Sequence, residues 1–125
     1  MKLASLGLFV FDLASLPFNE LGRKRDWRHA RSERVGARDA LQFTGPGQDR
    51  VSLQGSIVPG VAGSSVSIET LADMAAQGGV HQLADGTGRV FGGFVIQTLD
   101  TRGKHIMDGG VPRWVDFTIE LERAD

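Results

Sequence analysis

The sequence predicts an α+β fold that is mostly β: an antiparallel sandwich or barrel carrying one packed α-helix. Three observations lead there. Short apolar runs with the two-residue alternation of strands recur along the chain. Glycine is abundant, with 17 in 125 residues, and it clusters between those runs. One segment, 68–77, has the three-four spacing of a helix face, and strand patterns lie on both sides of it.

The longest strand-like run is 88–100, and the other elements are read around it. Phe91, Val95 and Leu99 share one parity; Val90, Phe94 and Ile96 share the other. Apolar groups on both parities predict a central strand covered on both faces. Gly92 and Gly93 mark a place where such a strand bends or another backbone comes close. The last segment, 112–123, is the cleanest strand. Val115, Phe117, Ile119 and Leu121 point one way, and Trp114, Asp116, Thr118, Glu120 and Glu122 the other. It is the expected partner of the central strand.

From the N-terminus, 3–13 reads as one strand with both parities apolar, central or covered by a partner. The start is apolar enough to pass for a short signal peptide. Asp12 follows quickly and no small-residue cleavage site appears, so a strand is favoured. Residues 23–35 read as an exposed strand or ribbon, since their apolar residues are too few for a helical stripe. Leu41, Gln42 and Phe43 form a short strand end, and Gly45, Pro46 and Gly47 predict a firm break. Residues 51–58 alternate as a half-buried strand. In the helix 68–77, Ile68, Leu71, Ala72 and Ala75 form the apolar face, with Ser67 as N-cap and Glu69 in the first turn. Gly78 and Gly79 end it. A short strand at 80–84 and a hairpin turn at 85–88 lead into the central run. Segment 101–105 is polar, and 108–110 is a turn signal.

The length suits one domain spanning 1–125, able to bury a core without staples. The net charge of −1 does not announce nucleic acid, and no apolar run approaches the ~20 residues of a membrane helix. The absence of cysteine excludes disulfides and thiolate metal sites. His29, His81 and His105 lack paired ligand spacing, so no metal is expected. No nucleophile elbow or phosphate loop occurs; Gly86, Thr87 and Gly88 read as a turn because a strand follows them. Asp116, Glu120 and Glu122 line one strand face, with nothing to force their pKa values apart. No catalytic residue and no cofactor is expected.

The informative charge feature is basic. Seven of the 14 Lys and Arg residues fall within 23–38. Clustered arginines could neutralise phosphates, could be a solvated strand, or could form a contact between subunits. In the contact reading, Arg28, Arg31, Arg34 and Arg38 face Asp116, Glu120 and Glu122 of a neighbouring copy.

An ordered set of residues carries a family resemblance. Trp27-Arg28-His29-Ala30, Arg34-Val35-Gly36-Ala37-Arg38 and Gln42-Phe43-Thr44-Gly45-Pro46-Gly47 come first. Leu53-Gln54-Gly55, Pro59, Leu71, Met74-Ala75 and Leu83-Ala84-Asp85-Gly86-Thr87-Gly88 follow. Val95-Ile96, Gly110-Val111-Pro112-Arg113 and Phe117-Thr118-Ile119-Glu120-Leu121 complete it. This set resembles the GpU family of tail proteins of contractile-tailed phages, related prophages and tail-like bacteriocins, over nearly the whole chain. Ala40 stands where proline is common in the family, and Phe94 where tryptophan is common.

The resemblance implies a structural tail protein rather than an enzyme, with a tail-tube-like fold and a sixfold ring as its assembly. Its implied role is a tube initiator or adaptor between baseplate hub and tail tube. The implied partners are further copies of itself, the tail-tube protein, baseplate hub or spike proteins, and the tape-measure protein, with no membrane and no specific nucleic acid. The implied place is a tail or tail-like particle assembled in the bacterial cytoplasm. A terminator ring at the opposite end of the tail is one alternative; a small nucleic-acid-binding module using 23–38 is another.

Overall fold

Alternating apolar residues along β-prone segments build seven strands into one antiparallel sheet, in the order β2-β1-β5-β6-β7-β4-β3. The computed structural model describes residues 2–12, 15–58, 63–106, 109–110 and 112–125. The strands are β1 (Lys2–Leu6), β2 (Phe9–Asp12), β3 (Phe18–Ser32), β4 (Ala40–Ile57), β5 (His81–Asp85), β6 (Val90–Ile106) and β7 (Pro112–Arg123). One helix, α1 (Ser65–Gln77), lies between β4 and β5 in the chain and packs against β6. The mostly-β α+β class expected from the sequence is the class observed.

β6 is the middle strand of the sheet and pairs with β7 from Phe94 to Ile106, as the sequence pattern predicts. Its two apolar parities have a different cause from the one expected. The register slips between Leu83 and Ala84 opposite Phe91, and again between Ile96 and Thr98. Each extra residue moves the following side chains to the other face. Phe91, Phe94, Ile96 and Leu99 therefore all pack on one core although their numbers differ in parity. Gly92, beside the first slip, has φ 131°, so the expected bend is present.

The first segment also needs correction. It is two strands, because Gly7 and Leu8 turn the chain between β1 and β2. Gly7 takes φ 62°, a conformation a side chain would strain. Leu6 and Phe11 are buried in the core, whereas Leu8 is fully exposed at the turn. The hairpin lies at one end of the sheet rather than at its centre.

The helix begins three residues before the predicted start. Ser64, not Ser67, is the N-cap; its side chain accepts from the Val66 N–H at 3.3 Å. Glu69 consequently lies beyond the first turn. Gly78 ends the helix in the left-handed conformation, as expected. Leu71 is buried, and Ile68 and Met74 pack beside it. Residues 101–105, which read as a polar connection, extend β6. The turn expected at 108–110 falls partly outside the described residues.

The core face of the sheet carries Val51, Leu53 and Ile57 from β4 and Phe117, Ile119 and Leu121 from β7, all buried. The sheet curls around this core, so that residues from its two end strands meet. The rings of Phe11 on β2 and Phe18 on β3 are 5.7 Å apart, edge to face. Closure requires a bare position at Gly55, where an added Cβ would strike the Pro17 carbonyl oxygen and lie 2.7 Å from the Phe18 Cα. Gly22, by contrast, has open space around it. Gly55→Ala should lower the urea midpoint by an amount equivalent to about 1–3 kcal/mol. Gly22→Ala should leave it within about 1 kcal/mol of the parent, since it only removes backbone freedom. Equal midpoints for the two variants would contradict this account of closure.

Candidate assembly surface

β4 is paired on both sides only as far as Arg50, which faces Glu122 of β7. Beyond that point its remaining residues pair with β3 alone, from Arg25 opposite Asp49 to Ser32 opposite Ala40. Residues 25–48 thus form a two-stranded ribbon, rooted at Asp49, with its tip at 33–39, standing out from the sheet. The break expected at Gly45, Pro46 and Gly47 does not occur. The residues sit inside β4 and are absorbed by two slips of register. Arg25 faces Asp49 but Trp27 faces Pro46; Arg28 faces Gly45 but His29 faces Phe43. Proline lacks an N–H and is tolerated at such an irregularity on a ribbon with no third strand. At Gly47 an added Cβ would collide with the Asp26 carboxylate, which accepts from the Gln48 N–H at 2.6 Å.

The root of the ribbon is held by charges. Arg23 clasps Asp49 with two hydrogen bonds, Nε to Oδ1 at 2.9 Å and Nη2 to Oδ2 at 2.6 Å. Asp49 is the one charged residue buried among the described residues. The Arg23 hydrogen bonds hold its carboxyl below the usual range against the opposing effect of burial. Arg123 approaches the same carboxylate at 3.6 Å and pairs with Asp125 at 2.7 Å. Asp125 in turn accepts from the Gly93 N–H at 2.9 Å. The Arg23 guanidinium also lies 5.2 Å from the centre of the Phe91 ring. The network therefore joins β3, β4, β6 and β7 where the sheet gives way to the ribbon.

The residues that the sequence offered as interface candidates lie in two separate places. Arg28 and Arg31 are exposed on the ribbon, and Arg34 and Arg38 on its tip, where Arg34 Nε donates to the Arg38 carbonyl at 2.9 Å. Asp116, Glu120 and Glu122 lie together on β7, on the face away from the core. Two of these acids are engaged within the chain. Asp116 accepts from Lys104, Ser56 and Trp114, and these bonds lower its pKa to about 2. Glu122 accepts from Gln97 at 2.7 Å and lies 3.7 Å from Arg50. Glu120 is exposed and has no ion-pair partner among the described residues. The sequence reading missed the Arg23–Asp49 clasp. Its one available signal was the odd position of Asp49, which continues the buried parity of Val51 and Leu53.

Among the described residues, no group of three or more His, Asp or Glu could hold a metal ion. No helix among the described residues is long and apolar enough to cross a membrane. The arrangement offers surfaces for macromolecular contact. A family model described as Phage P2 GpU matches residues 7–125. The chain belongs to the Phage P2 GpU family. It is thus a member of the family of structural tail proteins that its residue pattern resembles.

No curated protein matches the sequence. Solved structures share the fold. A chain in the virion of a native gene transfer agent particle aligns with a TM-score of 0.62 at 19% identity, covering 99% of this chain and 91% of that one. A chain in the tail of an empty gene transfer agent particle, a structure of C6 symmetry, aligns at 0.61 and 18% identity, with the same 99% and 91% coverage. A chain of the extended PVC sheath–tube complex, from an extracellular contractile injection system, aligns at 0.56 and 10% identity, covering 98% and 84%. At these identities the likeness to these three chains is one of fold alone.

Two predictions concern the charge contacts. Asp49→Asn leaves the Arg23 cation without its anion, and should cost about 3 kcal/mol in urea unfolding at neutral pH. Asp116 has a depressed pKa, so its contribution is present above the unfolded value of about 4 and is lost as pH falls toward about 2. Unfolding midpoints of Asp116→Asn and the parent should therefore differ at pH 6 and converge near pH 2. A gap that stays constant would assign the difference to something other than ionisation.

Proposed function

We propose that this chain is a ring-forming structural component of a phage tail or tail-like particle, acting as the initiator or adaptor that joins the baseplate hub to the tail tube. The observation that carries the reading is a body with the fold of tail-particle chains bearing an uncovered, basic ribbon. A ring contact is heterologous: each subunit presents two different surfaces that fit each other. Ribbon and body are two such surfaces, and they differ in charge. The C6 symmetry of the gene transfer agent tail supports a sixfold ring as the form.

In this reading Arg28, Arg31, Arg34 and Arg38 meet carboxylates of a neighbouring copy. Glu120 is the best placed of the three acids on β7, because Asp116 and Glu122 already accept bonds at home. The mechanism is templating. A ring whose upper face matches a tube ring removes the need for the first tube subunits to assemble unaided. The partners are then the tail-tube protein above and hub or spike proteins below, with the tape-measure protein in the lumen. Assembly takes place in the bacterial cytoplasm.

One observation favours a second reading. Trp27, His29 and Phe43 stand among the ribbon arginines, an arrangement that also suits stacking on single-stranded nucleic acid. Particles produced without this chain separate the readings. Baseplates lacking attached tubes are expected, and label on the chain should lie at the tube–baseplate junction. Normal tubes in its absence would refute the initiator role, and label at the far end would make it a terminator. DNA retention that falls with salt and is lost in Arg28→Glu/Arg31→Glu would favour nucleic acid.

A further inference from the structure

The ribbon has two unlike faces. By cross-strand register, Trp27, His29 and Arg31 of β3 share a face with Pro46, Phe43 and Leu41 of β4. Ala30 and Ser32 share the other face with Gln42 and Ala40. The first face continues the core side of the sheet, since β3 places Arg23, Arg25 and Trp27 at successive positions of one parity. Yet it runs past the end of the core. Trp27 is 55%, Leu41 58% and Phe43 59% exposed. The one ring contact there is His29 against Phe43, 5.5 Å between centres.

We infer that this apolar face, Trp27–His29–Leu41–Phe43, docks on the body of a second copy of this chain. The inference rests on the ring-forming reading above and adds which face makes the contact and with what. Three arguments lead to it. First, a two-stranded hairpin is at best marginally stable in water, and this one has no third strand and no cover of its own. Adjacent exposed aromatic and aliphatic side chains on one side of it supply a hydrophobic driving force for a partner.

Second, the charges select that partner. Beyond the Arg23–Asp49 clasp, residues 25–48 hold five Arg against Asp26, Glu33 and Asp39, a formal +2, so the rest of the chain, from a total of −1, carries −3. On the body, Glu69, Asp73 and Glu120 have no ion-pair partner among the described residues. The helix that carries two of them has no Lys or Arg at all. A second copy thus offers the ribbon the opposite charge. Third, the same charges exclude the symmetric alternative. Two ribbons laid face to face would bring +2 against +2, with Arg31 inside the contact. The contact is therefore ribbon to body, repeated from copy to copy, the heterologous geometry that generates rings or stacks.

The test is photo-crosslinking in assembled particles and in concentrated purified protein. Phe43→p-benzoylphenylalanine places the probe on the apolar face, and Gln42→p-benzoylphenylalanine places it one residue away on the polar face. Both sites are exposed, so neither change disturbs a packed core. Irradiation of the position-43 variant should give a species of twice the chain mass, in which position 43 is joined to a body peptide outside 25–48. The position-42 variant should give much less of it. Trp27→Ser with Phe43→Ser should weaken self-association at least about tenfold, the loss of one strong interface anchor. Crosslinks only to a different tail protein, crosslinks from ribbon to ribbon, or equal yields from the two faces would overturn the inference. The two readings fail separately. A chain absent from particles that still crosslinks to itself in solution refutes the tail assignment alone. A chain present in particles without the position-43 crosslink refutes this contact alone.

Discussion

The Arg23–Asp49 clasp is the contact on which the rest of the architecture turns. It sits where β4 loses its second neighbour, so the chain on one side of it belongs to a curled sheet and on the other to a free ribbon. A buried carboxylate is tolerated only with a well-placed cation and its hydrogen bonds. Here two parallel bonds from a planar guanidinium meet that need. The same guanidinium covers Phe91, which closes the end of the core. One side chain thus both lies against a ring packed on the core and fixes the root of the ribbon. Arg123 and Asp125 extend the clasp to β6 and β7, so the root of the ribbon is tied to four strands.

Register slips are the second constraint, and they recur wherever the sheet must do something other than lie flat. Those in β6 keep Phe91, Phe94, Ile96 and Leu99 on one face while the strand bends around the core. Those in β4 keep the apolar side chains of the ribbon on the side continuous with the core. Extra residues also increase local twist. Twist and bend together bring Phe11 and Phe18, from opposite ends of the strand order, into contact.

These slips explain how the sequence was legible and where it was not. The alternation of Phe117, Ile119 and Leu121 reads directly, because β7 is uninterrupted between two partners. The pairing of β6 with β7 and the glycine end of α1 read as directly. Parity over 88–100 misleads, because a period-two reading takes a shift of face for cover on both faces. Gly45, Pro46 and Gly47 mislead in the other direction: a composition that ends most strands is accommodated where the strand has one neighbour and two bulges. The split of 3–13 into a hairpin rests on one left-handed glycine, which apolar neighbours on both sides conceal. The basic, exposed character of 23–35 was legible from composition. That its partner strand continues opposite it, and that Asp49 anchors it, are long-range facts that no local pattern encodes.

A free ribbon with exposed aromatic residues is a liability as well as an asset, since an unpaired strand edge invites pairing with any other. The arginines answer that difficulty by their placement. Arg28 and Arg31 stand on opposite faces of the exposed edge strand, and like charges on two such ribbons oppose their pairing. In the proposed contact, the surface that attracts the ribbon is instead the oppositely charged body of a second copy. Electrostatics thus sets direction, and the apolar face supplies contact once direction is set. A uniformly apolar ribbon would bind more promiscuously, and a uniformly basic one would hold only at low salt. In the proposed contact, combining the two on opposite and interleaved positions would let one element remain exposed in the free chain and become buried on assembly.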